Sequence, residues 1–243
     1  MLKNKITLRI ECVVIGCILL CMNVRAQGLS FKIKESGGMG YFMFGGSTID
    51  IDKLNSRLAS KGYPKFSDNF ISIGGGGHGI INRIIIGGEG HGLISDELSS
   101  GNYKTFLTAG YGFFDLGYIV FSTGALNIYP ILGFGGGGMS LEILRRDSPT
   151  FDEVLDNPGR NTELSTGGFL LNVALGADYL LVLGKDEKGA GGIMVGIRLG
   201  YTYSPSKGNW ELLDGTDISG GPKVGITGPY IRLMFGGGGI SKQ

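Results

Sequence analysis

The sequence predicts an all-β fold: a closed, up-and-down antiparallel β-barrel of about eight strands (eight to ten at the limits), with one short helix in a loop. Three observations carry this expectation. Glycine fills 47 of 243 positions, about 19 % against an average usage near 7 %, a share that helical domains do not tolerate. Hydrophobic residues still make up 42 % with only 7 Pro, which excludes a collagen-like or disordered chain. Apolar and polar residues alternate with a period of two in segment after segment, and the connections between these segments alternate between long and short.

The leader comes first. Lys3, Lys5 and Arg9 precede an apolar run from Cys12 to Met22, and Val24-Arg25-Ala26 follows before Gln27. This is the pattern of an export signal over 1–26, cleaved after Ala26 and leaving one domain over 27–243. The apolar core is about 11 residues, short of the roughly 20 that a spanning helix needs. A retained anchor is one alternative. A lipoprotein cut before Cys17 is another, although it would split the apolar run. All three cysteines (Cys12, Cys17, Cys21) lie in this leader, so the remainder has no thiol for a disulfide or a Cys-ligated metal. The leader also holds four cations against Glu11, so the +1 of the whole chain becomes −2 beyond it. That balance gives no basic stripe for nucleic acid.

The strands expected after the leader are 37–46, 69–81, 84–94, 103–122, 127–144, 165–183, 190–204 and 228–240. Phe169, Leu171, Val173, Leu175, Ala177, Tyr179 and Leu181 share one face, opposite Asn172, Gly176 and Asp178. Ile193, Val195, Ile197, Leu199, Tyr201 and Tyr203 repeat the arrangement against Gly196, Arg198 and Thr202. Near the end, Ile231, Leu233 and Phe235 alternate with Tyr230, Arg232 and Met234. Asn82-Arg83 suits a two-residue hairpin turn. Asp50 caps a helix over 50–62 with Ile51, Leu54 and Leu58 at helical spacing, ended by Gly62 and Pro64 and assigned to a connection rather than the core. Within 103–122, Phe113-Phe114-Asp115-Leu116 is the one stretch that also reads as a turn, which would raise the strand count.

The intervening segments 47–68, 95–102, 145–164 and 205–227 are long, whereas 82–83, 123–126 and 184–189 are short. Short turns then face one compartment and long loops the other, with both termini on the short-turn side. With its export signal, cysteine-free body and alternating strands, the chain resembles the small bacterial outer-membrane β-barrels over nearly its whole mature length. The resemblance implies Sec-type export to the outer membrane of a Gram-negative bacterium, with outer-membrane lipid and the barrel-insertion machinery as partners and no cofactor. Apolar faces would meet acyl chains, with Tyr129, Tyr179, Tyr201 and Tyr203 at the interfaces. One departure stands out: members of this class commonly finish on an aromatic residue, and here Gly236 to Gln243 follow Phe235.

Inward positions carry the candidate site: His78, Glu89, His91, Asp178, Arg198 and Arg232. Pairing across 184–189 sets Asp178 opposite residue 196 and diagonal to Arg198, so these two are expected to satisfy each other. The turn at 82–83 puts both histidines on the face of Glu89 but about 13 Å apart, too far to share a metal. The resemblance also makes Glu89 and His91 catalytic candidates, with Ser95 or Ser72 as a hydroxyl, since some small outer-membrane barrels deacylate or transfer acyl groups. No Gly-X-Ser-X-Gly elbow supports that role. The four-Gly runs at 74–77, 135–138 and 236–239 lack the Lys-Ser/Thr that a phosphate loop needs. Sharp coiling, or close approach of another backbone such as the 50–62 helix, explains them better.

The favoured function is non-enzymatic: a structural, adhesive or binding role through the loops 47–68, 145–164 and 205–227, the last carrying the sole tryptophan, Trp210, toward an extracellular or periplasmic protein partner. The alternatives are an outer-membrane lipid-modifying enzyme and a soluble secreted or periplasmic barrel that binds an apolar ligand.

Overall fold

The computed structural model describes residues 35–123, 126–156, 159, 161–185 and 189–242; the leader expected at 1–26 lies outside them. The elements in chain order are β1 (Glu35–Thr48), α1 (Asp52–Ser60), β2 (Asn69–Ile81), β3 (Ile84–Ile94), β4 (Leu98–Ser100), β5 (Tyr103–Tyr118) and β6 (Phe121–Thr123). Then follow β7 (Leu126–Arg145), α2 (Phe151–Asp156), β8 (Asn161–Lys185), β9 (Gly189–Tyr203), β10 (Trp210–Leu212), β11 (Asp217–Ile218) and β12 (Gly228–Lys242). Eight strands pair antiparallel in the order β8-β9-β12-β1-β2-β3-β5-β7, and β7 pairs again with β8, which closes the ring. The remaining four are short pieces laid on β5, β7, β8 and one another.

Backbone conformation sets the ends. Asn82 and Arg83 take φ of 49° and 74°, the left-handed pair of a two-residue hairpin whose twist matches its strands. The strand expected over 103–122 runs unbroken through Phe113–Leu116 but stops at Tyr118. There the Ile119 N–H donates to Arg83 O at 2.8 Å, and Phe121–Thr123 pairs separately with 126–128. A buried Ile119 side chain, filling the short-turn end of the barrel, accounts for the break.

The interior has three layers. Toward the short turns an apolar layer contains Met39, Met43, Ile85, Tyr129, Leu180 and Met194. Charged and phenolic side chains fill the middle. Toward the long loops a second apolar layer joins Leu93, Leu107, Tyr111, Met139 and Leu170 of the wall to Ile51, Leu54 and Leu58 of the first connection. Helix α1 therefore belongs to the core, contrary to its assignment to a mere connection: its apolar stripe covers the barrel mouth. Its N-cap is Ile51 without a side-chain bond, and Asp50 accepts from the Asp52 N–H at 3.3 Å. Asn55 clamps it by donating to Phe66 O and accepting from Phe66 N–H, both at 2.9 Å. Trp210 is likewise buried in this lid, its indole N–H donating to Pro222 O at 2.8 Å, so it is not displayed on a loop.

Glycine makes the layers possible. Many large inward side chains have a glycine directly across from them: Glu89 faces Gly76, His91 faces Gly74, Tyr111 faces Gly137, Arg198 faces Gly176 and Arg232 faces Gly45. A Cβ at Gly137 would stand 2.3 Å from Tyr111 Cβ, and one at Gly74 2.3 Å from the His91 ring. An eight-stranded lumen is just wide enough for side chains, so bulk on one strand requires its absence on the next. The neighbours that the inward glycines accommodate are thus the barrel's own adjacent strands, backbone carbonyls as well as side chains, not the 50–62 helix.

Candidate functional site

All six sequence-derived site residues point inward and are buried: His78, Glu89, His91, Asp178, Arg198 and Arg232. Arg198 on β9 and Arg232 on β12 are direct cross-strand partners, an arrangement that repulsion would oppose without a shared anion. Glu89, three to four strands away on the opposite wall, supplies it. One carboxylate oxygen accepts from Arg198 Nη1, and the other lies 3.3 Å from Arg232 Nη1 and 3.3 Å from His91 Nε2. Asp115 adds a second carboxylate 3.7 Å from Arg198 Nη1. Tyr41 accepts from Arg198 Nη2 at 3.3 Å, Tyr111 accepts from Arg232 Nη2, and the Arg232 guanidinium stacks 3.6 Å from the centre of the Tyr230 ring. The result is a strut across the lumen, in which each guanidinium meets anion, hydroxyl and ring face at once.

Two expectations are corrected. Arg198 does not take Asp178 as its partner. Its side chain extends past Gly176 to the shared carboxylate in the middle of the lumen, and Asp178 instead accepts from Asn127 Nδ2 at 3.0 Å. Tyr129 is not an interfacial residue. It shares parity with inward Ile131, and its ring fills the space that Gly176 leaves open. His78 sits apart from the strut, its ring against Tyr41 and Tyr129, with Nδ1 3.3 Å from the Tyr41 hydroxyl.

Glu89 and His91 lie inside the barrel. Their side chains have no solvent exposure and lie between two apolar layers. The Ser95 hydroxyl donates to Leu107 O at 2.8 Å, and Ser72 is fully buried. Sequence reasoning missed Tyr41, Tyr111, Asp115 and Tyr230. Tyr230 has the parity of inward Arg232 on β12 and was within reach of strict alternation, whereas no inward residue had been identified on β1 or β5 against which to place Tyr41, Tyr111 and Asp115. Reading Phe113–Leu116 as a possible turn hid Asp115.

No family model and no curated protein matches the chain. Among solved structures, it is similar to Ail, the attachment invasion locus protein of Yersinia pestis, at 11% identity and a TM-score of 0.40, covering 85% of this chain and 98% of that one. It is also similar to the outer membrane protease OmpT of Escherichia coli, at 13% identity and a TM-score of 0.37, covering 88% and 99%. The eight-stranded ring itself is defined by the strand pairing described above.

Proposed function

We propose that the wall of this barrel spans a bacterial outer membrane and that the protein works without catalysis, through the loops at its long-loop end, as a structural or adhesive component. The carrying observation is the segregation of side chains across the wall. Phe42, Leu233 and Phe235 are more than half exposed on the outside, whereas Arg198 and Arg232 are fully buried within. Outward positions of β1, β2, β3, β9 and β12 hold no Asp, Glu, Lys or Arg, and on β8 the same is true from 165 to 183. Water penalises such a surface, since soluble proteins rarely expose apolar patches beyond a few hundred Å². Hydrocarbon does not, and a closed ring leaves no unpaired backbone in it.

Dimensions agree with this reading. The outward apolar run from Phe169 to Leu181 is about 40 Å along the strand, and a tilt of about 45° reduces this to about 28 Å of depth, close to the apolar band of known barrels. Outward Tyr118 and Tyr179 stand at its short-turn edge, and Tyr201 and Tyr203 at its long-loop edge. The filled lumen favours a role outside the barrel over conduction through it.

Membrane fractionation followed by gel mobility with and without boiling tests the proposal. It predicts a membrane-bound species whose mobility changes on heating; a soluble, heat-indifferent protein would contradict it.

A further inference from the structure

The top of the β7–β8 hairpin and the β10–β11 hairpin enclose a cleft of about 470 Å³, beyond the apolar band and separate from the lumen. Leu144, Leu212 and Leu213 line it together with Glu142, Glu163 and Asp214. Two features of this cleft cost stability. Leu213 occupies the apex of a tight turn closed by Gly215 N–H to Leu212 O and Leu212 N–H to Thr216 O, both at 2.9 Å, and is 82% exposed. Such a turn asks for polar residues, and Gly215 with φ +82° already supplies its special backbone. Glu142 and Glu163 are direct cross-strand partners, and like charges so placed repel. Ser140 donates to Glu163 at 2.7 Å, and among the described residues no cation pairs with either carboxylate.

From this combination we infer that the cleft docks a cationic polypeptide segment of a partner protein, in which a large apolar side chain flanked by Lys or Arg enters between the leucines. Charge complementarity selects this occupant. Anionic lipid headgroups would meet three carboxylates, and a free cation has no use for three leucines. Asp214 is held in its charged form because its carboxylate accepts the Thr216 N–H at 2.9 Å, which pushes its pKa below the ordinary range. A rigid apolar anchor with flanking ion pairs is the usual way a small cleft holds an extended segment, and a volume of this size takes a few side chains rather than a domain. The inference relies on the proposed function only for the side of the membrane on which the partner waits.

The test uses the barrel in phosphatidylcholine nanodiscs and three fluorescent pentapeptides of Lys-Leu, Lys-Ser and Glu-Leu alternation, with empty nanodiscs as the blank. Saturable binding is expected for the Lys-Leu peptide, at least tenfold tighter than for the other two. Leu213→Ser, and separately Glu142→Gln with Glu163→Gln, should each weaken it at least tenfold while leaving heat-shifted gel mobility unchanged. Equal binding of all three peptides, binding to empty discs alone, or affinity indifferent to these substitutions would overturn the inference. A barrel that inserts and shifts on heating but binds nothing would refute the cleft alone; a chain that never inserts would refute the proposed function instead.

Discussion

At the scale of the residue, the interior turns on one carboxylate and on the glycines that make room for the side chains around it. Among the described residues Glu89 is the one carboxylate that pairs with both adjacent arginines, Asp115 lying 3.7 Å from Arg198 alone, so removing it leaves Arg232 without a carboxylate and Arg198 with only the longer contact. Glu89→Gln should destabilise the barrel by about 3–5 kcal/mol, read as a lower midpoint in the heat-dependent gel shift. Replacing the trio together, Glu89→Leu with Arg198→Met and Arg232→Met, should recover most of that loss, because the strut then becomes apolar packing. A single variant as stable as the parent would mean that the strut holds nothing. The glycines offer an internal contrast. Gly137→Ala places a Cβ against Tyr111, whereas a Cβ at Gly40 meets no atom within 4 Å. Gly137→Ala should therefore cost about 1–3 kcal/mol and Gly40→Ala stay within about 0.5 kcal/mol of the parent in the same assay.

At the scale of the element, the turn and the lid carry the predictions. Arg83 sits at φ 74°, a conformation that costs an L-residue about 1–2 kcal/mol and glycine almost nothing. Arg83→Gly should raise the unfolding midpoint, and a fall would show that the Arg side chain contributes more than the backbone loses. Asn55→Ala removes both bonds that clamp α1 to Phe66 and should expose amides 52–60 to faster hydrogen exchange while leaving those of β9 and β12 protected. Faster exchange in β9 as well would mean that the lid and wall unfold together.

The strands and their facing were legible because a period of two is local: parity from Phe169 to Leu181 and from Ile193 to Tyr203 fixes both sides of the wall. So were the hairpin at Asn82-Arg83 and the helix over 52–60. Three things were not. Which inward charges meet depends on closing the ring, since Glu89 and Arg198 are 109 residues apart and touch only across the lumen. The lid role of α1, and the burial of Trp210 beneath it, depend on how a long connection folds back, about which alternation is silent. Tyr129 looked interfacial because it is aromatic, although its parity with Ile131 already placed it inside.

At the scale of the whole molecule, the wall is turned inside out relative to a water-soluble protein. Oily side chains ring the exterior and a charged strut crosses the middle, closed at one end by a helix and its buried apolar neighbours. Lipid would then be part of the fold's stability, because it alone makes the exterior inexpensive to expose. Site-directed spin labelling along β9 tests this most directly, aided by the fact that every cysteine in the sequence lies before residue 27. Single-cysteine variants at successive positions from 193 to 199, labelled in lipid vesicles, should show collisions with oxygen at 193, 195, 197 and 199 and with neither oxygen nor a water-soluble nickel chelate at 194, 196 and 198. Collisions with the nickel chelate at the odd positions, or no alternation at all, would contradict the account.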